Sequence, residues 1–367
     1  MESIKTQIYP NQQQKELIEK TFGCTRFIYN KCLEQQIKNH EQSQKFINKY
    51  GMCKWITGFK KEYEWLKEVE NKPLQYSVFN LESAYKRFFR EHKGFPNFKS
   101  KNGKQSYKTD VHIYVEKHWV KLPKMDKIRV FEKLPDIKPK QIIVSKDSGK
   151  YYISISFDKQ REKIETSGEI GIDLGLKDFA IFSDGTKVKN HKFIKNSEKQ
   201  LAKLQKRLSR TKKCSNRRKV AKLKVSRCYQ KIRNQRQDFL HKLTTAIAKQ
   251  YKYVAIENLS VSNMVKNHCL AKSISDVAWG EFRRQLEYKL KWNGGELAVI
   301  GRFEPSSKTC SNCGFIKKDI KLSDRKWVCE KCGTSHDRDI NAAKNILNFS
   351  HSPMERREGG VEICAIA

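Results

Sequence analysis

The 367-residue sequence contains no apolar run of 18 residues and no signal-peptide pattern before Tyr9, and its Cys364-Ala-Ile-Ala end is only a weak match to a prenylation signal. A spanning helix, an export leader and a lipid anchor are therefore not expected, and the chain reads as soluble, cytoplasmic and without a membrane partner. Internal repeats and low-complexity tracts are also lacking. Acidic residues are scarce: 40 Asp+Glu stand against 76 Lys+Arg, a formal charge of +36. A surplus of that size points to a polyanionic partner, with nucleic acid the first candidate. Eleven cysteines in a chain without an export signal read as metal ligands or packed thiols rather than disulfides. The length exceeds that of a usual single domain, so two or three domains are expected.

Ser3–Tyr9 alternates like a strand, and a helical stretch from Asn11 to about Gln42 carries Leu17, Ile18, Phe22, Phe27 and Leu33. More helical sequence runs from Trp65 to Phe89. After the turn-rich Gly94–Ser100 the pattern changes to strands at His112–Val115, Ile128–Phe131, Gln141–Val144 and Tyr151–Phe157, with a hairpin turn at Asp147–Gly149. A strand, then helices, then several strands suggest a small β-barrel with an inserted helical subdomain. The charged segment Asp158–Ser167 is the expected domain boundary. Beyond it come strands at 169–174, 178–182 and 186–189, then a basic helical stretch to about Gln250 and a strand at Lys252–Glu257. A helix near Asp276–Trp292, a strand at Glu296–Phe303, a cysteine-rich insertion and a helix at Asp339–Asn348 complete the chain. This β-β-β-α-β-α-β-α order is that of an RNase H-like fold, so the expected fold class is α+β multidomain.

Two strands deliver an acid at their tips: Glu169-Ile-Gly-Ile-Asp173 and Tyr253-Val-Ala-Ile-Glu257. Either acid alone also reads as a solvated or capping carboxylate, but the first and fourth strands of this fold are neighbours and would bring the pair together. The last helix offers Asp337 and Asp339. Asp339 shares a helical face with Ala342, Ala343 and Ile346, the face that must pack on the sheet, whereas Asp337 precedes the first turn and reads as a cap or as a group that supports the metal-binding acids from behind. Converging carboxylates are tolerated when a hard cation neutralises them, and Mg²⁺ or Mn²⁺ takes carboxylate and phosphate oxygens. Two such ions about 4 Å apart would support phosphodiester hydrolysis. Asp173, Glu257 and Asp339 are therefore the expected catalytic and metal-binding acids.

Cys310-Ser-Asn-Cys313 and Cys329-Glu-Lys-Cys332 are separated by fifteen residues, the two-knuckle spacing of a closed, structural zinc site with four thiolate ligands. His336 follows the second knuckle too closely to compete for the same ion. The other cysteines are scattered and read as packing or surface residues. Between Lys195 and Lys242 lie eighteen Lys/Arg and two acids, with a sparse apolar stripe through Leu201, Leu204 and Leu208. A charge run is ordinarily a solvated face. Its length and its place between two candidate catalytic strands favour a phosphate-tracking surface, on which Lys206, Arg207, Arg210, Arg217 and Arg218 are candidate contacts.

The strings Thr21-Phe-Gly-Cys-Thr-Arg-Phe-Ile-Tyr-Asn30, Gly94-Phe-Pro-Asn-Phe-Lys99, Gly171-Ile-Asp-Leu-Gly-Leu176, Ile256-Glu-Asn-Leu259 and Asp337-Arg-Asp-Ile-Asn-Ala-Ala343, with the cysteine pairs, resemble the transposon-encoded TnpB nucleases, relatives of compact type V CRISPR effectors. The resemblance covers nearly the whole chain. It implies a wedge-like β-barrel at 1–10 and 96–165, a helical recognition lobe at 11–95, and a RuvC-type nuclease at 166–304 and 336–350. It further implies a zinc-ribbon target-binding insert at 305–335 and a tail at 351–367. The family's acids fall on Asp173, Glu257 and Asp339. A guide RNA transcribed from the transposon end would bind the protein and direct it to double-stranded target DNA next to a short flanking motif, with DNA readers near Gln75 and Asn80. The expected activity is RNA-guided DNA endonuclease, nucleoid-associated in a prokaryote. The alternative is a catalytically weak or inactive guided repressor, against which the intact trio counts. Oligomeric state has no signature in the sequence.

Overall fold

A computed structural model describes residues 2–159, 164, 166–302, 304–317, 319–320 and 324–351. The expected tail, apart from its first residue, lies outside these. The chain divides into two compact units, Met1–Gln160 and Arg161–Ala367, and the division falls within the charged segment Asp158–Ser167.

The first unit opens with β1 (Glu2–Tyr9) and the long α1 (Gln12–Glu41). The Asn11 side chain accepts from the Gln14 backbone while the Gln14 side chain accepts from the Asn11 backbone, a reciprocal cap that fixes where the helix starts. There follow α2 (Lys49–Glu62), a single 3-10 turn (Glu64–Lys67) and α3 (Asn71–Glu91). The strands are β2 (Gln105–Thr109), β3 (Tyr114–Val115), β4 (Trp119–Lys121), β5 (Ile128–Val130), β6 (Pro139–Asp147) and β7 (Lys150–Phe157). They pair antiparallel in the order β2-β6-β7-β1-β5-β4-β3. Alternate residues of these strands, such as Ile8, Val130, Val144, Ile153 and Ile155, meet Ile18 and Phe22 of α1 in one core. Further along, α1 turns Ile28 and Leu33 into a second, helical core with α2 and α3. One helix therefore serves both cores.

The second unit contains β8 (Glu169–Leu174), β9 (Asp178–Phe182), β10 (Lys187–Lys189), α4 (Phe193–Ser209), α5 (Asn216–Gln250), β11 (Tyr253–Glu257), α6 (Val261–Met264), α7 (His268–Val277), α8 (Trp279–Trp292), β12 (Glu296–Ile300), β13 (Lys326–Val328), β14 (Ser335–Asp337) and α9 (Arg338–His351). Five strands form a mixed sheet in the order β10-β9-β8-β11-β12, in which β8 and β11 are parallel and central. The period of two along a strand sorts its side chains between the faces. Ile170, Ile172 and Leu174 of β8, with Val254 and Ile256 of β11, pack under Leu240 and Ile247 of α5 and Phe282, Leu286 and Leu290 of α8. Ala255 of β11 faces the other way, onto Ile346 and Leu347 of α9. The basic stretch expected as one helical run is two helices, α4 and α5, packed against each other through Leu201, Cys228 and Ile232.

Candidate acidic site and zinc ribbon

Face parity carries the acids. Asp173 and Glu257 have the parity opposite to Ile172 and Ile256, so both project on the α9 side of the sheet. The parallel register pairs Ile256 with Ile172, and continuing it by one residue sets Glu257 beside Asp173. On α9, Asp339 lies one and two turns before the buried Ala342, Ala343 and Ile346, so it shares their sheet-facing side. Gly171 makes the approach possible: a Cβ there would lie 2.0 Å from the Ala343 carbonyl oxygen and 3.0 Å from Leu347. Only a residue without a side chain lets α9 rest directly on β8.

The electrostatics agree with this convergence. Asp173 retains some exposure but is densely enclosed, and its carboxyl is pushed up to about 7 by burial first, then by the charges of Glu257 and Asp339. Glu257 is raised as well, by burial. Carboxylates that resist ionising together are the donor set a hard divalent cation satisfies. Asp337 does not join them: its Oδ1 accepts from the backbone N–H of Asp339 and of Ile340 at 3.1 and 3.3 Å, and its Oδ2 accepts from Lys187 Nζ at 2.8 Å. It caps α9. Arg325 belongs to no motif in the sequence, yet its Nη1 donates to both Asp339 carboxylate oxygens at 3.1 and 3.3 Å.

The four expected cysteines converge, with all sulfurs within 4.8 Å of one another. Cys310 to Cys332 is 3.7 Å and Cys313 to Cys329 is 3.6 Å, against about 3.8 Å between corners of a tetrahedron with ~2.3 Å Zn–S bonds. The two knuckles are built alike. Gly314 and Gly333 each donate to the carbonyl of the first cysteine of their pair at 2.9 Å and hold φ of +75° and +68°, values that glycine adopts without penalty. His336 stays outside the group of four sulfurs but touches it. Its ring nitrogen Nε2 lies 3.0 Å from Cys310 Sγ because β14 folds back antiparallel on β13, pairing Trp327 with His336. The four sulfurs are the donor cluster, and the imidazole is their hydrogen-bonding neighbour.

Two asparagines bind the ribbon to α9. Asn341 Nδ2 donates to the Thr309 carbonyl at 2.7 Å and its Oδ1 accepts from Ser311 N at 2.9 Å, while Asn345 Nδ2 donates to the carbonyls of Ser306 and Thr309 at 2.7 and 2.6 Å. Both are buried. Neither is among the sequence candidates, although their spacing of four on a helix that opens with acids is a signal that they share a face.

Lys206, Arg207, Arg210 and Arg217 are exposed around the turn between α4 and α5. Arg218 is engaged: its Nη1 donates to the Leu208 and Thr211 carbonyls at 3.1 Å each and closes the turn. Gln75 and Asn80, five residues apart on α3, point about 140° apart around the helix. Asn80 lines a cavity of about 220 Å³ with Arg26, Tyr76, Lys104 and Lys108, which Gln75 does not.

These features define a strongly basic α+β protein in which a four-thiolate ribbon interrupts an acid-tipped mixed sheet. The chain belongs to the TnpB family, also described as OrfB of IS605-type elements. The OrfB_IS605 family described as "Probable transposase" matches residues 152–268, "Cas12f1-like, TNB domain" matches 279–346, and an OrfB_IS605 "Helix-turn-helix domain" matches 1–45. In this chain the last segment holds β1 and the single helix α1. A Streptomyces pristinaespiralis protein named "Putative RNA-guided DNA endonuclease" is 37% identical over 94% of this chain and 88% of its own length. "Putative RNA-guided DNA endonuclease InsQ" of Escherichia coli K12 is 36% identical over 96% and 93%. A solved Cas12f1–sgRNA–target DNA complex aligns over 95% of this chain and 98% of that one, at 18% identity and a TM-score of 0.37.

Proposed function

We propose that this chain is an RNA-guided DNA endonuclease of a transposable element, with a RuvC-type, RNase H-like catalytic unit. The observation that carries the reading is the electrostatic state of Asp173, pushed up to about 7 by burial first and then by the charges of Glu257 and Asp339, which supports a shared site for the three acids. The proposed boundaries are those of the sequence: nuclease at 166–304 and 336–350, ribbon at 305–335, barrel at 1–10 and 96–165, helical lobe at 11–95.

Mg²⁺ or Mn²⁺ bound by the trio would supply activation of water and stabilisation of the leaving oxygen in phosphodiester hydrolysis. The chain's own residues do the rest. Gly171 lets α9 seat Asp339 over β8, Asp337 fixes the first turn of α9, and the hairpin tip of α4 and α5 offers Lys206, Arg207, Arg210 and Arg217 to the phosphate backbone. The names of the relatives and the formal charge of +36 support a guide RNA and a double-stranded DNA target as partners, with sequence read by base pairing.

The test is cleavage of a plasmid in Mg²⁺ by protein co-expressed with its native flanking RNA, reprogrammed to that plasmid. Cutting that depends on the matched guide, and that falls at least ~10³-fold in Asp173→Ala, supports the reading. Guided binding without cutting by the unmutated protein would transfer it to a repressor.

A further inference from the structure

In the first unit, five aromatic rings gather around a cavity of about 430 Å³ where the end of α1 meets the end of α3, a volume in the usual range of ligand sites. Tyr85 forms the floor and is buried in the helical core. Phe46 lies 5.0 Å from it edge-on, Phe89 6.1 Å away and nearly parallel at 16°, and Phe95 5.6 Å away at 88°. Phe88 closes the group at 5.1 and 5.3 Å from Phe89 and Phe95. Three of these rings face water: Phe46 is 44%, Phe89 61% and Phe95 45% exposed. Single exposed apolar side chains need no explanation, but a contiguous set around a concavity marks an interaction site.

The chemistry of the surroundings selects the occupant. Ile37 is the one aliphatic side chain among the described residues lining the cavity, and Gln36, Asn39, His40, Glu41 and Gln44 line it beside the rings, so it offers ring faces and edges with hydrogen-bonding groups and one carboxylate among them. The segment from Lys86 to Lys99 that carries Phe88, Phe89 and Phe95 holds five Lys/Arg and one acid, and Arg90 and Lys93 within it are exposed. A second copy of this chain would bring like charges together. Ring faces beside cations suit a flat, aromatic, polyanionic ligand, which describes single-stranded nucleic acid.

We propose that this cavity is a stacking site for an unpaired nucleobase of single-stranded RNA or DNA, which lies face to face on Phe89 and meets Phe95 edge-on while Arg90 and Lys93 hold the flanking phosphates. The inference rests on the reading of the chain as a nucleic-acid enzyme but not on cleavage or guiding. A stack of this kind is sequence-tolerant, since every base has a π-face, and leaves Watson–Crick edges free. It requires the base to be unpaired, so it discriminates single strands from duplex.

The experiment uses the full chain and 12-nucleotide single strands of RNA and of DNA carrying one 2-aminopurine, with the matching duplexes as controls. Affinity and fluorescence quenching are read at low salt and at 0.5 M salt, where phosphate contacts are weakened and stacking is not. Quenching by the unmutated protein with single strands only is expected, with either sugar. Phe89→Ala and Phe95→Ala each weaken binding about tenfold and abolish quenching, Phe89→Leu behaves like Phe89→Ala, and Phe89→Trp restores both. Far-UV dichroism and melting of each variant establish that the fold is intact, which the exposure of Phe89 favours.

Absence of quenching, unchanged affinity in Phe89→Ala, or equal quenching of duplex overturns the proposal. Recovery in Phe89→Leu, or self-association that Phe89→Ala abolishes in sedimentation, assigns the face to a protein partner instead. The nuclease reading fails separately: a chain that never cuts can still quench the base, and one that cuts under a guide with Phe89→Ala unaffected loses only the stacking site.

Discussion

Among the described residues of the second unit, the four cysteines and the three acids proposed for the nuclease site differ in how they are assembled. The four cysteines come from two local turns of identical construction, Cys310–Gly314 and Cys329–Gly333, each closed by its own hydrogen bonds. The three carboxylates come from positions 173, 257 and 339 and share one side of the sheet only because β8 and β11 pair in register and α9 packs across them. A local cluster depends on its ligand for order, since little core surrounds it. A long-range cluster depends on the core, and a cation bound to it would relieve a repulsion the core imposes. Each can therefore be broken without the other, except where Asn341, Asn345 and Arg325 join them.

The largest effect is expected from removing the metal of the local cluster. Structural zinc contributes on the order of 10 kcal/mol to small zinc modules, so Cys329→Ser, or a strong chelator followed by excess Mg²⁺, unfolds the ribbon. The sheet should stay folded. Because β14 runs directly into α9, guided cleavage should fall at least tenfold while hydrogen exchange in β8 and β11 is unchanged. Full cleavage by a zinc-free protein would show that the acidic site does not need the ribbon.

Gly171→Val attacks the other cluster. With 2.0 Å between its Cβ and the Ala343 carbonyl oxygen, α9 must lift or β8 must bend, at about 3 kcal/mol or more. The variant should melt several degrees lower and lose cleavage, yet its metal analysis should still return one zinc per chain. Loss of zinc as well would mean that the two clusters fold as one.

The division between local and long-range also explains what the sequence discloses. The cysteine knuckles are legible from spacing alone, and the carboxylates from strand-tip position plus helix-face parity, which is topology expressed as a period. Gly171 is visible as part of a motif, but its purpose is a contact with residue 343. Spacing sets His336 too near its knuckle to compete for the ion, but that a strand reversal turns its ring onto Cys310 as a hydrogen-bonding neighbour is not written in the spacing. The helix α2, with Gly51 and Gly58 and only Met52 and Ile56 buried, has too thin an apolar stripe to announce itself, and β2 and β4 are too short for alternation to show. Gln75 and Asn80 are alike in composition and are separated by helix geometry.

The repulsion within the long-range cluster has its own signature. Asp173 titrates at about 7 in the fold against an ordinary value of 3.8, so between those values the metal-free native state holds a proton that the unfolded chain has released. Stability of the metal-free protein therefore falls as pH rises from about 4 to 7. Asp173→Asn removes the group, and its advantage over the unmutated protein should be small at pH 4 and grow to a few kcal/mol at pH 7.5, read as a difference in melting midpoint in chelator. A constant advantage across that range would mean the carboxyl is not repelled.

The smallest effect concerns the link that carries charge. Arg325 reaches Asp339 from the segment leading into β13, and its guanidinium already neutralises part of what a cation would neutralise. A cation bound at the proposed site would compete with the arginine for the same two oxygens. Since Arg325 is 56% exposed on its side chain, the contact contributes no more than about 1 kcal/mol. Arg325→Ala should accordingly tighten Mn²⁺ binding, measured by paramagnetic resonance, by up to roughly fivefold, while Arg325→Lys, a point charge without the planar fork, should fall between. Weaker Mn²⁺ binding in Arg325→Ala would reverse the assignment: the guanidinium would then be holding Asp339 in the geometry the cation needs, and the ribbon would be supporting the acidic site rather than restraining it.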